Sequence, residues 1–411
     1  MQRKKGIVTP LKGKAILGQS GGCTAVINQS LAGILDAAKS SKAITQIWGA
    51  QYGVTGILTD DLVDLKVQPK NFSRDIRNLP SAVLGSSRYK LQGGEEFEIL
   101  EKLEKWDVRY LFLIGGNDTA ETVLRIAEAA RDKQYELRVV HVPKTIDNDL
   151  VETDHCPGYG SVARFAAITT QEAGWDTKSM RHVDPVKIIE LMGRNSGWIV
   201  AASALLKRSE KEAPHLLLLP EVPFEESGFL GNVERVLRDA GYCVVVISET
   251  IRDEAGKRVG TKKEGIVRDG FGHVYVEGAA AYLAQSVERN LKVRARYDKP
   301  GTIQRMSIPY VSSVDQREAY EAGERAVQWA LKGISKVMVG FVRQPGPQYR
   351  IQYCPVPLEK IPNREWYFPT CFLNSEKTGI SPAFSKYALP LIGDRLPEFP
   401  EFKFKKADLR V

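Results

Sequence analysis

The apolar positions of this 411-residue chain repeat one event: a short β-rich run, a stop at glycine or a charged residue, then apolar residues at helical spacing. Residues 14–17 run into Gly18-Gln19-Ser20-Gly21-Gly22, after which Ile27, Leu31, Leu35 and Ala38 mark one helical face. Residues 110–114 run into Gly115-Gly116-Asn117-Asp118, followed by a predicted helix over 122–130. A third run, 137–142, ends at Pro143-Lys144-Thr145-Ile146-Asp147-Asn148-Asp149. Residues 187–191 lead into Met192-Gly193-Arg194, 215–219 end at Pro220-Glu221, and 243–247 end at Ser248-Glu249. Strands alternating with helices predict an α/β fold, its largely parallel sheet covered on both faces. Ligands of such sheets bind beyond the carboxyl ends of the strands, where these Gly, Asp, Arg and Glu residues fall.

Punctuation along the chain predicts its divisions. Residues 153–160 are rich in turn formers, which puts a boundary near 150–160. Asp315 and Glu318 have the spacing of a capping box, opening a helix that stops at Gly333. From Pro355 onward the chain reads as an irregular extension, and no fixed-period repeat or low-complexity tract is present.

Composition narrows the class. An apolar share of 43% and a charged share of 26% fit a soluble globular protein, and the length favours two lobes. The longest apolar runs fall far short of the roughly 20 residues that span a bilayer, so no membrane partner is expected. The basic N-terminus, residues 1–5, is not followed by a signal-type hydrophobic stretch, and a cytoplasmic location is the expectation. Five cysteines without a CxxC pair argue against a disulfide framework. The five histidines are scattered, with no zinc-ligand spacing. The net charge of +8 is spread out, with short clusters at Lys262-Lys263 and 403–406 and no aromatic-interleaved segment. That fits a solvated basic surface or an attractor of small phosphate ligands, with nucleic acid excluded.

Several segments carry chemistry. Ser20-Gly21-Gly22 before a helix is either a tight turn or a phosphate loop, since glycine lets backbone N–H groups approach an anion. Gly115-Gly116-Asn117-Asp118-Thr119 repeats that design with an acid inside it, read as a metal ligand or electrostatic gate, or as a helix N-cap. In residues 143–149, one carboxylate can act as general base toward a sugar hydroxyl while the other positions a cation. Thr145 can donate to a phosphate, and Lys144 can neutralise charge on a transferred phosphoryl group. Gly85-Ser86-Ser87-Arg88, Gly193-Arg194 and Thr302-Ile303-Gln304-Arg305 each place an arginine that either contacts a phosphate or, read alone, pairs with an acid at the surface. Glu249 can accept from sugar hydroxyls or cap the next helix.

Taken in order, these motifs resemble those of the phosphofructokinases, over about residues 14–330, and the pattern is similar to the pyrophosphate-dependent branch. The resemblance implies two Rossmann-like lobes with mainly parallel sheets and an active site in the cleft between them. By that reading, residues 1–155, completed by part of 300–355, form the donor lobe, 156–300 the fructose 6-phosphate lobe, and 356–411 a C-terminal extension. It implies reversible, magnesium-dependent transfer from pyrophosphate to the sugar 1-hydroxyl. An ATP-dependent kinase and a non-catalytic sugar-phosphate sensor are the alternatives. Carried over by motif, Asp147 is the base, with Lys144 and Asp118 beside it. Thr145, Ile146, Asp147, Met192, Gly193, Arg194, Glu249, Arg296, Thr302 and Arg305 hold the sugar phosphate. Gly22, Arg88, Gly116, Asp118 and Lys144 meet the donor, and Asn117 and Asp149 meet Mg2+. Asn117 stands where the family usually has an aspartate, and Thr302 where many relatives have histidine or tyrosine. Relatives using ATP generally carry glycine at the positions of Asp118 and Lys144. A carboxylate at 118 would therefore repel a nucleotide's α-phosphate. The family also implies a homodimer or homotetramer in which a neighbouring subunit supplies a basic residue.

Overall fold

The computed structural model describes residues 10–260 and 278–400, with 402, 405 and 407 in the tail. Lys262, Lys263, Lys403 and Lys406 of the short basic clusters lie outside the described residues. The chain begins with β1 (Gly13–Gln19), β2 (Ile44–Ala50), β3 (Leu62–Asp64), β4 (Val108–Gly115) and β5 (Arg138–Pro143). A second set follows: β6 (Val186–Leu191), β7 (Leu216–Leu218), β8 (Cys243–Ser248) and β9 (Ala295–Asp298). The chain then returns with β10 (Val337–Arg343) and β11 (Ile351–Pro357).

Two sheets result, one seven-stranded in the order β11-β10-β5-β4-β1-β2-β3 and one four-stranded in the order β7-β8-β6-β9. Pairing is parallel except at the two edges of the larger sheet, β10 with β11 and β2 with β3. The predicted runs correspond to β1, β4, β5, β6, β7 and β8. Their near-continuous apolar character is what a strand covered on both faces requires.

Helices form where the periodicity places them. The helix Ile27–Lys39 buries Ile27, Leu31, Leu35 and Ala38. It packs closely on the helix Ser313–Leu331. A Cβ on Gly33 would lie 2.0 Å from the Tyr320 carbonyl oxygen, and one on Gly323 would lie 2.2 Å from that of Ser30. Only glycine at these two crossing points permits that approach.

Two expectations need correction. Ser312, not Asp315, caps the helix Ser313–Leu331. The Asp315 carboxylate instead accepts from the Gly158 and Ser161 amides, both at 2.9 Å, at the start of the helix Tyr159–Ser179. The capping geometry therefore joins two helices rather than closing one. The tail is not the irregular extension expected from Pro355 onward. β11 runs to Pro357, a helix forms over Pro382–Ala388, and short 3-10 turns lie at Leu358–Lys360, Thr370–Phe372 and Leu389–Ile392. Nor is the segment peripheral. Phe368, Phe384, Leu391 and Ile392 are buried in one cluster with Trp198 and Tyr159. Among the described residues no helix is long and apolar enough to cross a membrane, and all five cysteines are free.

Candidate active site

The carboxyl ends of both sheets open onto one cleft. Gly21, Gly22, Arg88, residues 116–119, Lys144, Thr145, Ile146, Asp147 and Asp149 line it from the first sheet. Met192, Arg194, Glu249, Thr302 and Arg305 line it from the other side, following β6, β8 and β9.

On the first sheet, β1 leaves into a turn where Gly21 has φ +76°. The Gly21 N–H donates to Ser87 O at 2.9 Å, and Ser86 Oγ donates to Gly21 O at 2.6 Å. The glycine turn and the Ser86-Ser87-Arg88 loop thus brace each other. The next helix begins only at Ile27, so the Ser20-Gly21-Gly22 turn does not sit on a helix N-terminus as expected. Side-chain cations meet it instead. Lys144 Nζ donates to Gly22 O at 2.6 Å. A Cβ on Gly22 would lie 3.1 Å from an Arg305 Nη atom and 3.6 Å from one of Arg88. Arg305, expected on the sugar phosphate, therefore stands beside the donor-type turn.

The helix N-terminus in the cleft belongs to Asn117–Asp132, with Gly116 at its N-cap and no side-chain cap. Asp118 is not the cap. It lies in the first turn, where the helix dipole favours its negative charge. Asn117 is committed elsewhere. Its Nδ2 donates to Arg364 O at 2.5 Å, and its Oδ1 accepts from the Asn363 amide at 2.9 Å. Asn117 lines the cleft, and its amide ties the tail to this helix.

The loop after β5 is held from behind. Asn148, at φ +54°, is fully buried. Its Oδ1 accepts from the Cys156 amide at 3.0 Å and its Nδ2 donates to Tyr387 Oη at 3.1 Å. Turning Asn148 inward turns its neighbours Asp147 and Asp149 toward the cleft. Thr145 Oγ1 accepts from the Asp147 amide at 3.1 Å, and the Asp149 carbonyl accepts from the Trp366 amide at 2.7 Å.

Burial and charge set the acidities. Burial raises the Asp147 carboxyl above the usual carboxylate range, with Arg194 opposing. Burial, then the charge of Asp147, pushes Asp149 up to about 7. Burial, with Arg305, Arg88 and Arg194 nearby, brings Lys144 down to about 8.

On the second sheet, β6 leaves through Gly193 at φ +146° and Arg194 at φ +49°. The Arg194 amide donates to Glu249 Oε1 at 3.4 Å, and the Arg194 carbonyl accepts from Thr250 Oγ1. This bend aims the Arg194 side chain back across the cleft, its Nε 3.7 Å from Asp147 Oδ2. Two expected residues do not line the cleft. Gly193 shapes the bend, while Arg296, on β9, pairs with Asp184 at 2.6 Å. The cleft is also lined by Cys23, Glu190, Asn195, Arg258, Lys299 and Gln304, which the motifs did not single out as ligands. Of these only Glu190 carried a signal, as an acid inside an apolar strand.

A family profile described as Phosphofructokinase matches residues 14–330. The pyrophosphate–fructose 6-phosphate 1-phosphotransferase of Xanthomonas campestris pv. campestris is 37% identical over 391 residues, covering 94% of this chain and 93% of that protein. The enzyme of the same name from Methylococcus capsulatus is 37% identical over 393 residues, covering 94% of this chain and 93% of its own. The crystal structure of the pyrophosphate-dependent phosphofructokinase of Nitrosospira multiformis superposes with a TM-score of 0.85 at 34% identity, covering 95% of this chain and 94% of that one.

Proposed function

The chain belongs to the phosphofructokinase family, and we propose that it transfers a phosphoryl group reversibly from pyrophosphate to the 1-hydroxyl of fructose 6-phosphate. The observation that carries this reading is the meeting of Asp147, from the first sheet, with Arg194, from the second, at 3.7 Å across the cleft. A base and an oriented cation face each other where an acceptor hydroxyl and a transferred group would meet.

Pyrophosphate lies against the first-sheet side, on the Gly21-Gly22 turn, with Gly116, Lys144 and Arg88 around it. Fructose 6-phosphate lies against the second, held by Thr145, Ile146, Met192, Arg194, Glu249 and Thr302. Asp147 accepts the proton of the 1-hydroxyl as its oxygen attacks phosphorus, and returns it in the reverse direction. Burial suits it to this, since a carboxylate in ordinary solution is too weak a base to hold that proton. Lys144 and Arg88 stabilise charge that collects on the phosphoryl oxygens in flight. Asp118 in the first helical turn meets pyrophosphate's end of the site and repels the extra phosphate of a nucleotide donor.

Among the described residues no cluster of three or more acids, histidines or cysteines is arranged as a metal cage. Magnesium does not need one, because it binds through one or two carboxylates and completes its shell with substrate phosphates and water. The adjacent buried carboxylates of Asp147 and Asp149, whose mutual repulsion favours protonation, fit a cation. Asp149 and the donor's phosphate oxygens would hold it, and it would supply charge neutralisation on the transferring group. A cytoplasmic location agrees with five free thiols. A homodimer or homotetramer agrees with the exposed edge strand β9 and the exposed Tyr297 and Ile303 beside it.

Steady-state assays at fixed fructose 6-phosphate, comparing pyrophosphate with ATP, test the reading. Product from pyrophosphate and little from ATP is expected. The reverse preference would overturn the donor assignment.

A further inference from the structure

Residues 363–368 of the tail bond to both sides of the cleft without lining it. On the first-sheet side, the Asn363 amide donates to Asn117 Oδ1 at 2.9 Å, and the Arg364 carbonyl accepts from Asn117 Nδ2 at 2.5 Å. The Trp366 amide donates to the Asp149 carbonyl at 2.7 Å. On the second-sheet side, Glu365 Oε2 accepts from Asn195 Nδ2 at 3.2 Å, and the Trp366 carbonyl accepts from Trp198 Nε1 at 3.2 Å. The Phe368 amide donates to Glu221 Oε1 at 2.8 Å, an oxygen that also accepts from the Gly197 amide at 3.0 Å.

These contacts reach the segments that carry the reacting groups. Asn117 opens the helix of Asp118, Asp149 shares a loop with Asp147, and residues 195–198 follow directly on Arg194. Asp147 and Arg194 meet at 3.7 Å across the cleft. The bond that joins their own loops, from Ser196 Oγ to the Asp147 carbonyl, is long at 3.4 Å. Shorter bonds run through the tail. Its aromatic side chains hold it in place, with the Trp366 and Phe368 rings 4.6 Å and 5.0 Å from that of the fully buried Trp198. Glu365 is the crossing point. The backbone on either side of it bonds to the first-sheet side, and its half-buried side chain bonds to the second.

We propose that residues 363–368 form a strap that fixes the reach between Asp147 and Arg194, with Glu365 as the positioning residue at its crossing. The assignment rests on the functional reading above and adds to it a part of the chain outside the cleft lining. Transfer needs the attacking oxygen, its base and the transferred group held in near-attack geometry, and a misplacement of about 1 Å from a remote change can cost roughly 100-fold in rate. Reacting groups on two separate sheets keep that geometry only if something ties their loops together. Glu365 does so through one charge-assisted bond, the kind that holds its length best.

Kinetics of Glu365→Ala in the full-length protein test this. Its kcat is expected to fall roughly 10- to 100-fold, with the KM for pyrophosphate and for fructose 6-phosphate each changed by less than about 5-fold. Glu365→Gln, whose amide oxygen accepts the same bond, should keep at least roughly half of the wild-type kcat. Asn195→Ala removes the bond from its other end and serves alone if Glu365→Ala does not fold. The double variant should be no slower than the slower single one, because two residues acting through one bond are not additive. An unchanged kcat in Glu365→Ala, an equal loss in Glu365→Gln, or additive losses in the double variant would overturn the proposal. If the wild-type enzyme makes no product from pyrophosphate and fructose 6-phosphate, it is the functional reading that fails. Amide hydrogen exchange then decides the strap: peptides covering 145–150 and 192–198 should both exchange faster in Glu365→Ala, or in Asn195→Ala in its place, than in the wild type. Unchanged exchange in either peptide would sink it.

Discussion

At the first-sheet end of the cleft, Lys144, Arg88 and Arg305 converge on a glycine turn, with Asp118 in the first turn of the next helix and Asp147 and Asp149 on the loop after β5. At the second-sheet end, the acids Glu190 and Glu249 interleave with Arg194, Lys299 and Arg258. The difference follows from what each end has to hold. Pyrophosphate is small and highly charged, with no apolar or neutral handle, so only concentrated positive charge can hold it. A sugar phosphate offers several hydroxyl donors that carboxylates accept, and one anionic tail. The concentration has a consequence at Lys144, which is buried among cations and is brought down to about 8. Its proton is held firmly once an anionic donor arrives.

The sharpest way to break this comparison is at the point where the two ends meet. Asp147→Asn should lower kcat by roughly 100- to 10,000-fold with the fold intact, the range for removing a general base. A near-normal turnover in pre-steady-state or steady-state assays would remove Asp147 from the chemistry. Next, Lys144→Met should lower kcat for pyrophosphate by roughly 100-fold or more, as for one preorganised donor of an oxyanion site. The fructose 6-phosphate KM should stay put, and if it rises equally, the division of the cleft into two ends is wrong.

A smaller effect on rate, but a sharper one on choice, is expected of Asp118→Gly. ATP turnover should become measurable while pyrophosphate activity falls by less than about 10-fold, as the loss of one repulsive contact predicts. If nucleotide binding stays undetectable by titration, Asp118 is not the gate. Asn117→Ala should cost about 1–2 kcal/mol of stability in denaturant unfolding, since it removes two hydrogen bonds to the 363–364 backbone. Limited proteolysis should then cut the tail first; an unchanged pattern would mean that Asn117 does not anchor it.

The last prediction concerns a buried charge cluster outside the cleft lining. His155 is buried between Asp154, at 2.9 Å, and Glu318, at 2.8 Å. Arg343 pairs with Asp154, and Tyr349 donates to Glu318 at 2.8 Å. Burial alone would lower the imidazole's proton affinity, but the Glu318 charge and the bonds to both carboxylates raise it from 6.5 to about 9. A folded value above the unfolded one means that the stabilisation is complete below pH 6.5 and is lost as the pH rises through about 9. Unfolding curves across that window should show declining stability, and His155→Gln should flatten the decline. Parallel curves for the two proteins would refute the charged imidazole.

Legibility varied by residue. The loop 143–149 was readable because its chemistry is local: a strand end, a proline, and acids flanking an asparagine. That Asn148 points inward was not, because its partner Tyr387 lies far along the chain in a tail that reads as irregular. Ser20-Gly21-Gly22 read as the start of a helix because apolar periodicity marks a face, not a first residue, and the helix waits until Ile27. Arg296 looked like a phosphate ligand by its motif position, but it is paired with Asp184, more than a hundred residues earlier. Lys299 gave no signal at all: that this lysine after a strand pairs with Glu190 at the cleft wall shows only in three dimensions.

By itself the sequence determined the alternation of strands and helices, the turns that need glycine, and the hydroxyls, acids and cations placed at strand ends. These depend on neighbours within a turn or two of chain, where backbone geometry and side-chain period act. Only the tertiary structure decided which charges meet: Arg305 at the Gly22 turn, Arg194 across from Asp147, Asn117 tied to the tail, Lys299 on Glu190. Those pairings join residues tens to hundreds of positions apart, and a charge gains or loses most of its strength through burial. Burial is a property of how the two sheets and the tail pack, and no local pattern records it.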